Sequence, residues 1–296
     1  MLNWLKSLAL NTKQEDTANI AVAGCTNIGR RRERNEDTFL LADLESQELH
    51  GETAKIEGQL SRSGFLMSVA DGLGGHPGGD VASRIAVKTL CDELIRNHLE
   101  PDIKTRLVQG VEVANRRVRE YATHNIEAQG LATTLTTAFI RNGIAYIAHV
   151  GDTRAYLLRQ GWLTQLTADQ TLAQYLLDLG QLARAKAVSQ HILMQAVGTE
   201  TSITPSFLRV DLQQNDSLLL CSDGLFNKLS DNEIIKVVNE VGDVEKATQR
   251  LIEQANSRGG EDNITMVLAR FTGTGLLPAQ EARNSEVSTI ELPLAA

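Results

Sequence analysis

Residues 134–167 read TLTTAFIRNGIAYIAHVGDTRAYLLRQGWLTQLT, and this stretch decides the fold class. Short runs rich in β-branched and aromatic residues are broken at Asn142-Gly143, Gly151-Asp152 and Gln160-Gly161. Asn-Gly between alternating apolar runs is the strongest short-range hairpin signal, because both residues tolerate positive φ. The spacing predicts an antiparallel meander. Working outward, helical periodicity precedes it. Ala82, Ala86, Leu90 and Leu94 recur in steps of four, and Ile103, Leu107, Val111, Ala114, Val118 and Tyr121 in steps of four and three. After it, Ser230 and Glu233 form a capping box ahead of NEIIKVVNEV. Val244, Ala247, Leu251 and Ala255 mark a further helix, stopped by Gly259-Gly260 before a last strand, NITMVLARF. Helices grouped between blocks of adjacent antiparallel strands predict an α+β layered fold rather than a doubly wound parallel sheet.

The apolar pattern runs unbroken from about 18 to 271, so the expectation is one domain over 18–271. It is preceded by a loose lead-in (1–17) and followed by a flexible tail (272–296). Residues 44–62, LESQELHGETAKIEGQLSR, read as a polar insertion, most simply a surface loop.

The chain has 296 residues, 42% hydrophobic and 22% charged, the profile of a soluble globular protein. A net charge of −8 argues against nucleic acid and anionic membranes as main partners. Cys25, Cys91 and Cys221 are odd in number and form no Cys-x-x-Cys pair, which favours buried thiols in a reducing compartment. The first residues, MLNWLKSLALNTKQED, are too short an apolar run to span a membrane and lack a signal-peptide pattern. A cytoplasmic monomer is the expectation.

Carboxylates stand at the ends of four strand candidates. Glu36-Asp37 precedes TFLLA, Asp71 follows FLMSVA, Asp223 follows LLLCS, and Asp262 precedes NITMVLA. A carboxylate at the end of a buried strand is costly unless its charge is compensated. If these ends lie together, cations must neutralise the cluster. Hard oxygen donors select Mg²⁺ or Mn²⁺, and no paired histidines suggest zinc. Gly72 and Gly224 directly follow two of the aspartates and permit close backbone approach. A single Asp-Gly pair reads more simply as a turn, but four acidic strand ends do not.

RERNEDTF, VADGLGGHPGGDVAS, ATTLTTAFI, AYIAHVGDTRAYLLRQGWLTQLTADQT, LLLCSDGLFNKLSDNE and GGEDNITMVLARF occur in that order across residues 20–271. The set resembles the metal-dependent serine/threonine protein phosphatases, the PPM or protein phosphatase 2C group, in their bacterial style. The resemblance implies a four-layer αββα sandwich of two antiparallel sheets flanked by helices. It implies hydrolysis of phosphoserine and phosphothreonine in proteins, opposing a Ser/Thr kinase, by attack of a water bridging two Mn²⁺ or Mg²⁺ ions. By the same resemblance Asp37, Asp71, Asp223 and Asp262 are the carboxylate ligands and the Gly72 carbonyl a backbone ligand. Glu36 holds a metal-bound water, and Arg32 binds phosphate. The alternative is an inactive relative that binds phosphoproteins.

Some positions depart from the pattern. Leu73 stands where eukaryotic members carry a histidine, and His76 lies three residues on. Gln170 replaces a usual histidine and Ala132 a usual glycine. A third metal ion lacks the acidic residue expected at Gln129, with Glu127 the nearest candidate. Asp152 reads as a structural or supporting residue of its turn in preference to a direct metal ligand. Residues 168–196 correspond to the variable flap beside the active site, the natural place for substrate choice.

Overall fold

The computed structural model describes residues 17–46, 48–51, 53–73, 78–125 and 130–279. Along the chain come β1 (Asn19–Asn27), β2 (Thr38–Asp43), β3 (Glu48–His50), β4 (Thr53–Gln59), β5 (Phe65–Ala70) and β6 (Gly72–Leu73). Two helices follow, α1 (Gly79–Arg96) and α2 (Ile103–His124), then β7 (Ala132–Thr133), β8 (Leu135–Arg141), β9 (Ile144–Val150), β10 (Arg154–Arg159) and β11 (Trp162–Gln165). Short α3 (Leu172–Asp178) and α4 (Leu182–Ala187) lead to β12 (Ser206–Asp211) and β13 (Ser217–Cys221). The chain continues through α5 (Asp223–Phe226), α6 (Asp231–Glu240), α7 (Val244–Ser257) and β14 (Ile264–Thr272).

Two six-stranded antiparallel sheets carry the fold. One runs β11-β10-β13-β14-β1-β4 and the other β12-β9-β8-β5-β2-β3, while β6 and β7 form a small separate pair. Period-two alternation splits each central strand between two cores. Val267 and Ala269 of β14 join Phe39, Leu41, Met67 and Val69 in the slab between the sheets. Met266 and Leu268 face Val237, Leu251 and Ala255 of α6 and α7. On the outer face of the other sheet, Leu66 and Ala70 pack with Ala86 and Leu90 of α1 and Leu107 of α2. The layers are therefore αββα, as the resemblance implies. Burial on both faces is why β5 and β13 read as continuous apolar runs: every residue of FLMSVA and SLLLC is buried.

The predicted helices form at their predicted positions. Asp102 caps α2 by accepting from the Thr105 N–H at 3.2 Å, and Glu233 closes the α6 box by accepting from the Ser230 N–H at 3.0 Å. Among the described residues no helix is long and apolar enough to cross a membrane.

Three expectations need correction. The meander is two hairpins in different sheets: β8 pairs with β9 in one sheet, β10 with β11 in the other. Asn142 and Gly143 (φ 51° and 72°), like Gln160 and Gly161 (φ 52° and 84°), have the paired positive φ of tight hairpin turns. Gly151-Asp152-Thr153 instead carries the chain from sheet to sheet. A Cβ on Gly151, at φ +104°, would lie 2.7 Å from Thr134 Cγ2, so the corner requires glycine. Alternation reports that a strand is buried, not which sheet it joins.

Residues 44–62 are also not simply a surface loop. β3 pairs antiparallel with β2 at the edge of one sheet, and β4 pairs with β1 along its length at the edge of the other. Ala54 and Ile56 pack on the inter-sheet slab while the polar positions between them face outward, as on any edge strand. Finally, the chain does not leave the fold at Phe271. Leu276 is buried in the slab, and the Leu277 carbonyl accepts from the Gln214 N–H at 2.9 Å.

Candidate active site

The four acidic strand ends meet. β2 begins where its neighbour β5 ends, with Thr38 opposite Ala70, so Asp37 and Asp71 share one edge. In the other sheet β13 ends where β14 begins, with Cys221 opposite Met266, so Asp223 and Asp262 share the facing edge. A direct hydrogen bond joins the edges: Ser222 Oγ donates to Asp37 Oδ2 at 2.7 Å.

Each carboxylate is held by backbone that has little freedom. The Asp71 N–H donates to Thr134 Oγ1 at 2.9 Å, and the Asp71 carbonyl accepts from Thr133 Oγ1 at 2.8 Å and the Thr134 N–H at 2.9 Å. Asn263 locks the loop carrying Arg32 and Glu36. Its Oδ1 accepts from the Glu36 N–H at 2.9 Å, and its Nδ2 donates to the carbonyls of Ile28 and Arg34 at 3.0 and 2.9 Å. Arg32 Nη2 donates to Asp262 Oδ2 at 2.8 Å, half-exposed at the rim. The other arginines of that loop, Arg30, Arg31 and Arg34, are exposed.

Gly72 cannot be replaced without moving backbone. An added Cβ would lie 2.3 Å from the Gly79 carbonyl oxygen and 2.6 Å from that of Glu36. Gly79 opens α1 against the Glu36 carboxylate, and a Cβ there would come within 2.9 Å of Glu36 Oε1. Gly224 is as crowded, its added Cβ 2.0 Å from the Asn263 carbonyl oxygen.

Burial dominates the electrostatics. It pushes the Asp37 carboxyl up to about 7 against the hydrogen bond from Ser222 and the nearby Thr265 hydroxyl, with Asp223 and Asp262 adding repulsion. Asp71 is raised well above the carboxylate range by burial, then by Asp37, Asp223, Asp152 and Asp262. Asp223 is raised by burial and by Asp262, opposed by His191 and Arg32. Glu36 is raised by burial, opposed by Arg32 and by the Gly79 N–H. These carboxyls share one buried cluster and repel one another when ionised.

The donor set suits hard divalent cations. Asp37 Oδ1 and Asp223 Oδ1 are buried and accept no hydrogen bond, which leaves two carboxyl oxygens without a protein partner and suited to a cation. Among the described residues no three His, Cys, Asp or Glu side chains close by themselves on a common metal-binding point. Asp262 is turned to Arg32 and Asp37 to Ser222. All of Arg32, Glu36, Asp37, Asp71, Gly72, Asp223 and Asp262 are thus brought to one place. His76, Glu127 and Gln129 lie outside the described residues.

Sequence reasoning missed several contributors. Ser222, Thr265 and Asn263 tie the edges together, and their only signal is a position beside an acidic strand end. Asp152, expected as a structural or supporting residue, does face the cluster through Asp71 and Asp223, and burial followed by Asp223 pushes its carboxyl to about 7. His191, from the flap, places Nδ1 3.5 Å from Asp223 Oδ2.

Comparison with known proteins agrees. The family model described as Protein phosphatase 2C matches residues 55–269. The serine/threonine phosphatase stp of Listeria welshimeri is 37% identical over 209 residues, covering 69% of this chain and 83% of that one. The serine/threonine protein phosphatase PstP of Mycobacterium tuberculosis is 34% identical over 69% of this chain but only 40% of its own length. Among solved structures, the Streptococcus agalactiae serine/threonine phosphatase superposes with TM-score 0.74 at 29% identity, covering 84% of this chain and 98% of that one. The catalytic domain of PstP, solved in complex with two manganese ions, gives 0.70 at 30% identity, covering 86% of this chain and all of that one. With the ordered motifs, the αββα layers and the meeting of the acidic strand ends, this chain belongs to the protein phosphatase 2C family.

Proposed function

We propose that this enzyme hydrolyses phosphoserine and phosphothreonine in proteins, with two Mn²⁺ or Mg²⁺ ions held by Asp37, Asp71, Asp223, Asp262 and the Gly72 carbonyl. The observation that carries the reading is the pair of buried, unpartnered oxygens, Asp37 Oδ1 and Asp223 Oδ1, inside a shared carboxylate cluster. When bound, such ions supply a water acidic enough to attack phosphorus and offset the charge of the phosphoryl oxygens.

The chain's own residues supply the rest. Arg32 has five N–H donors and spends one Nη2 contact on Asp262, so its remaining fork is available to phosphoryl oxygens at the rim. Its bond to Asp262 aims the guanidinium across the cluster. Glu36, its carboxyl raised by burial, would accept a proton from a water at the cluster. Ser222 holds Asp37 in one rotamer, which leaves Oδ1 as the free donor atom. No cysteine of the chain enters this cluster, and Cys91 and Cys221 are buried with their thiols pushed up by desolvation. The phosphate on the substrate must be placed there by a Ser/Thr kinase, which is the implied opposing activity.

The test is phosphate release from a phosphoserine peptide. It is expected to require added Mn²⁺ or Mg²⁺ and to vanish reversibly with EDTA. Full turnover in metal-free buffer would overturn the proposal.

A further inference from the structure

The flap carries an apolar surface that the phosphatase reading does not use. Of the eleven large apolar side chains exposed among the described residues, six fall within residues 175–194: Tyr175, Leu177, Leu179, Leu182, Ile192 and Met194. Such a concentration on one short segment is unlike the scattered exposed leucines of an ordinary surface.

This segment is fastened to the active-site corner. Gln170 Oε1 accepts from the Gly151 N–H at 2.9 Å, and the Gln170 N–H donates to the Gly151 carbonyl at 2.8 Å. From the far end of the flap, the Met194 N–H donates to the Gln170 carbonyl at 2.8 Å and Gln195 Nε2 to Gln170 Oε1 at 3.1 Å. The Leu172 N–H donates to the Ile192 carbonyl at 2.8 Å. Ile192 and Met194 are therefore held on a braced strand-like stretch, exposed by 46% and 54%. Ile192 directly follows His191, whose ring reaches Asp223. The apolar surface is continuous along the chain with the lip of the carboxylate cluster.

A phosphorylated side chain delivered to that cluster brings its flanking peptide past this lip. About three residues of extended chain reach about 10 Å. We propose that Ile192 and Met194 form an apolar specificity wall that binds a large apolar residue of the substrate within about three positions of its phosphoserine or phosphothreonine. The inference rests on the phosphatase reading and narrows its substrate class.

The experiment compares matched synthetic phosphoserine peptides that carry leucine or glutamine near the phosphoserine, with p-nitrophenyl phosphate as a substrate lacking flanking residues. Wild type is expected to prefer a leucine peptide by about tenfold in kcat/KM, the scale of modest apolar pocket discrimination. The double variant Ile192→Ser, Met194→Ser is expected to lose that preference and to hydrolyse p-nitrophenyl phosphate at the wild-type rate. Wild-type activity with less than twofold preference would overturn the wall alone, as would equal losses on all substrates. No metal-dependent activity on any substrate would overturn both readings. A wild-type dimer in sedimentation that dissociates in the double variant would assign the patch to self-association and overturn the proposal.

Discussion

Replacing Asp37 by asparagine should stabilise the metal-free protein while abolishing its response to metal. Burial holds the Asp37 carboxyl near 7 instead of its ordinary 3.8. Below pH 4 the group is protonated whether the chain is folded or not, and nothing is lost. As pH rises toward 7 the unfolded chain releases the proton and the fold retains it, so stability falls; above 7 the full penalty is present. At 1.36 kcal/mol per pH unit the penalty is about 4 kcal/mol. Asparagine keeps an oxygen for the Ser222 hydroxyl and removes the charge, so the variant should gain about 2–4 kcal/mol at pH 8 in EDTA. The measurement is urea or thermal unfolding of both proteins in EDTA at pH 5 and pH 8. The difference should shrink toward pH 5. Asp152 and Asp71, raised in the same direction, leave a residual slope of the same sign in the variant. With Mn²⁺ present the order should reverse, because only wild type gains from binding. A variant no more stable than wild type at pH 8 in EDTA, or a gain unchanged at pH 5, would refute the reasoning.

Asp223→Asn should fold normally and lose at least about a hundredfold in turnover under saturating Mn²⁺, the scale of a deleted electrostatic element; near-normal turnover would remove Asp223 from the site. Arg32→Ala should raise KM for phosphopeptide roughly 10–100-fold, the worth of charge-assisted contacts. Because its pair with Asp262 is half-exposed, Arg32→Ala should change unfolding free energy by less than about 1 kcal/mol. Gly72→Ala forces a Cβ into the Gly79 and Glu36 carbonyls and should both destabilise the fold, by about 1–3 kcal/mol of overpacking, and cut activity, read by unfolding and by phosphate release.

Much of this was legible in the sequence because the physics was local. The hairpin turns at Asn142-Gly143 and Gln160-Gly161 need positive φ, and the residues there say so. The Ser230–Glu233 capping box acts over three residues. The acidic strand ends were visible because a charge beside FLMSVA or LLLCS contradicts its surroundings. The Gly151 corner misled because the choice between sheets depends on strands far away, β13 for β10 and β12 for β9. β4 was hidden because an edge strand needs only Ala54 and Ile56 for its inner face, and its polar positions look like a loop. Ser222 and Asn263 act across 185 and 227 residues of sequence, so nothing local distinguishes them from ordinary polar neighbours of a turn.

The placement of β14 has a consequence for synthesis. It is the last strand of the described chain, yet it lies between β13 and β1 near the middle of its sheet. Until it emerges from the ribosome, β1 and β13 each present an unpaired edge, and the chain holds apolar rows that invite association with other chains. Asp262 and Asn263 arrive immediately before that strand, so the loop bearing Arg32 and Glu36 cannot be locked any earlier. Closure of the sheet and completion of the acidic edge are therefore a single late event in the life of each polypeptide. A nascent or truncated chain lacking β14 gains neither.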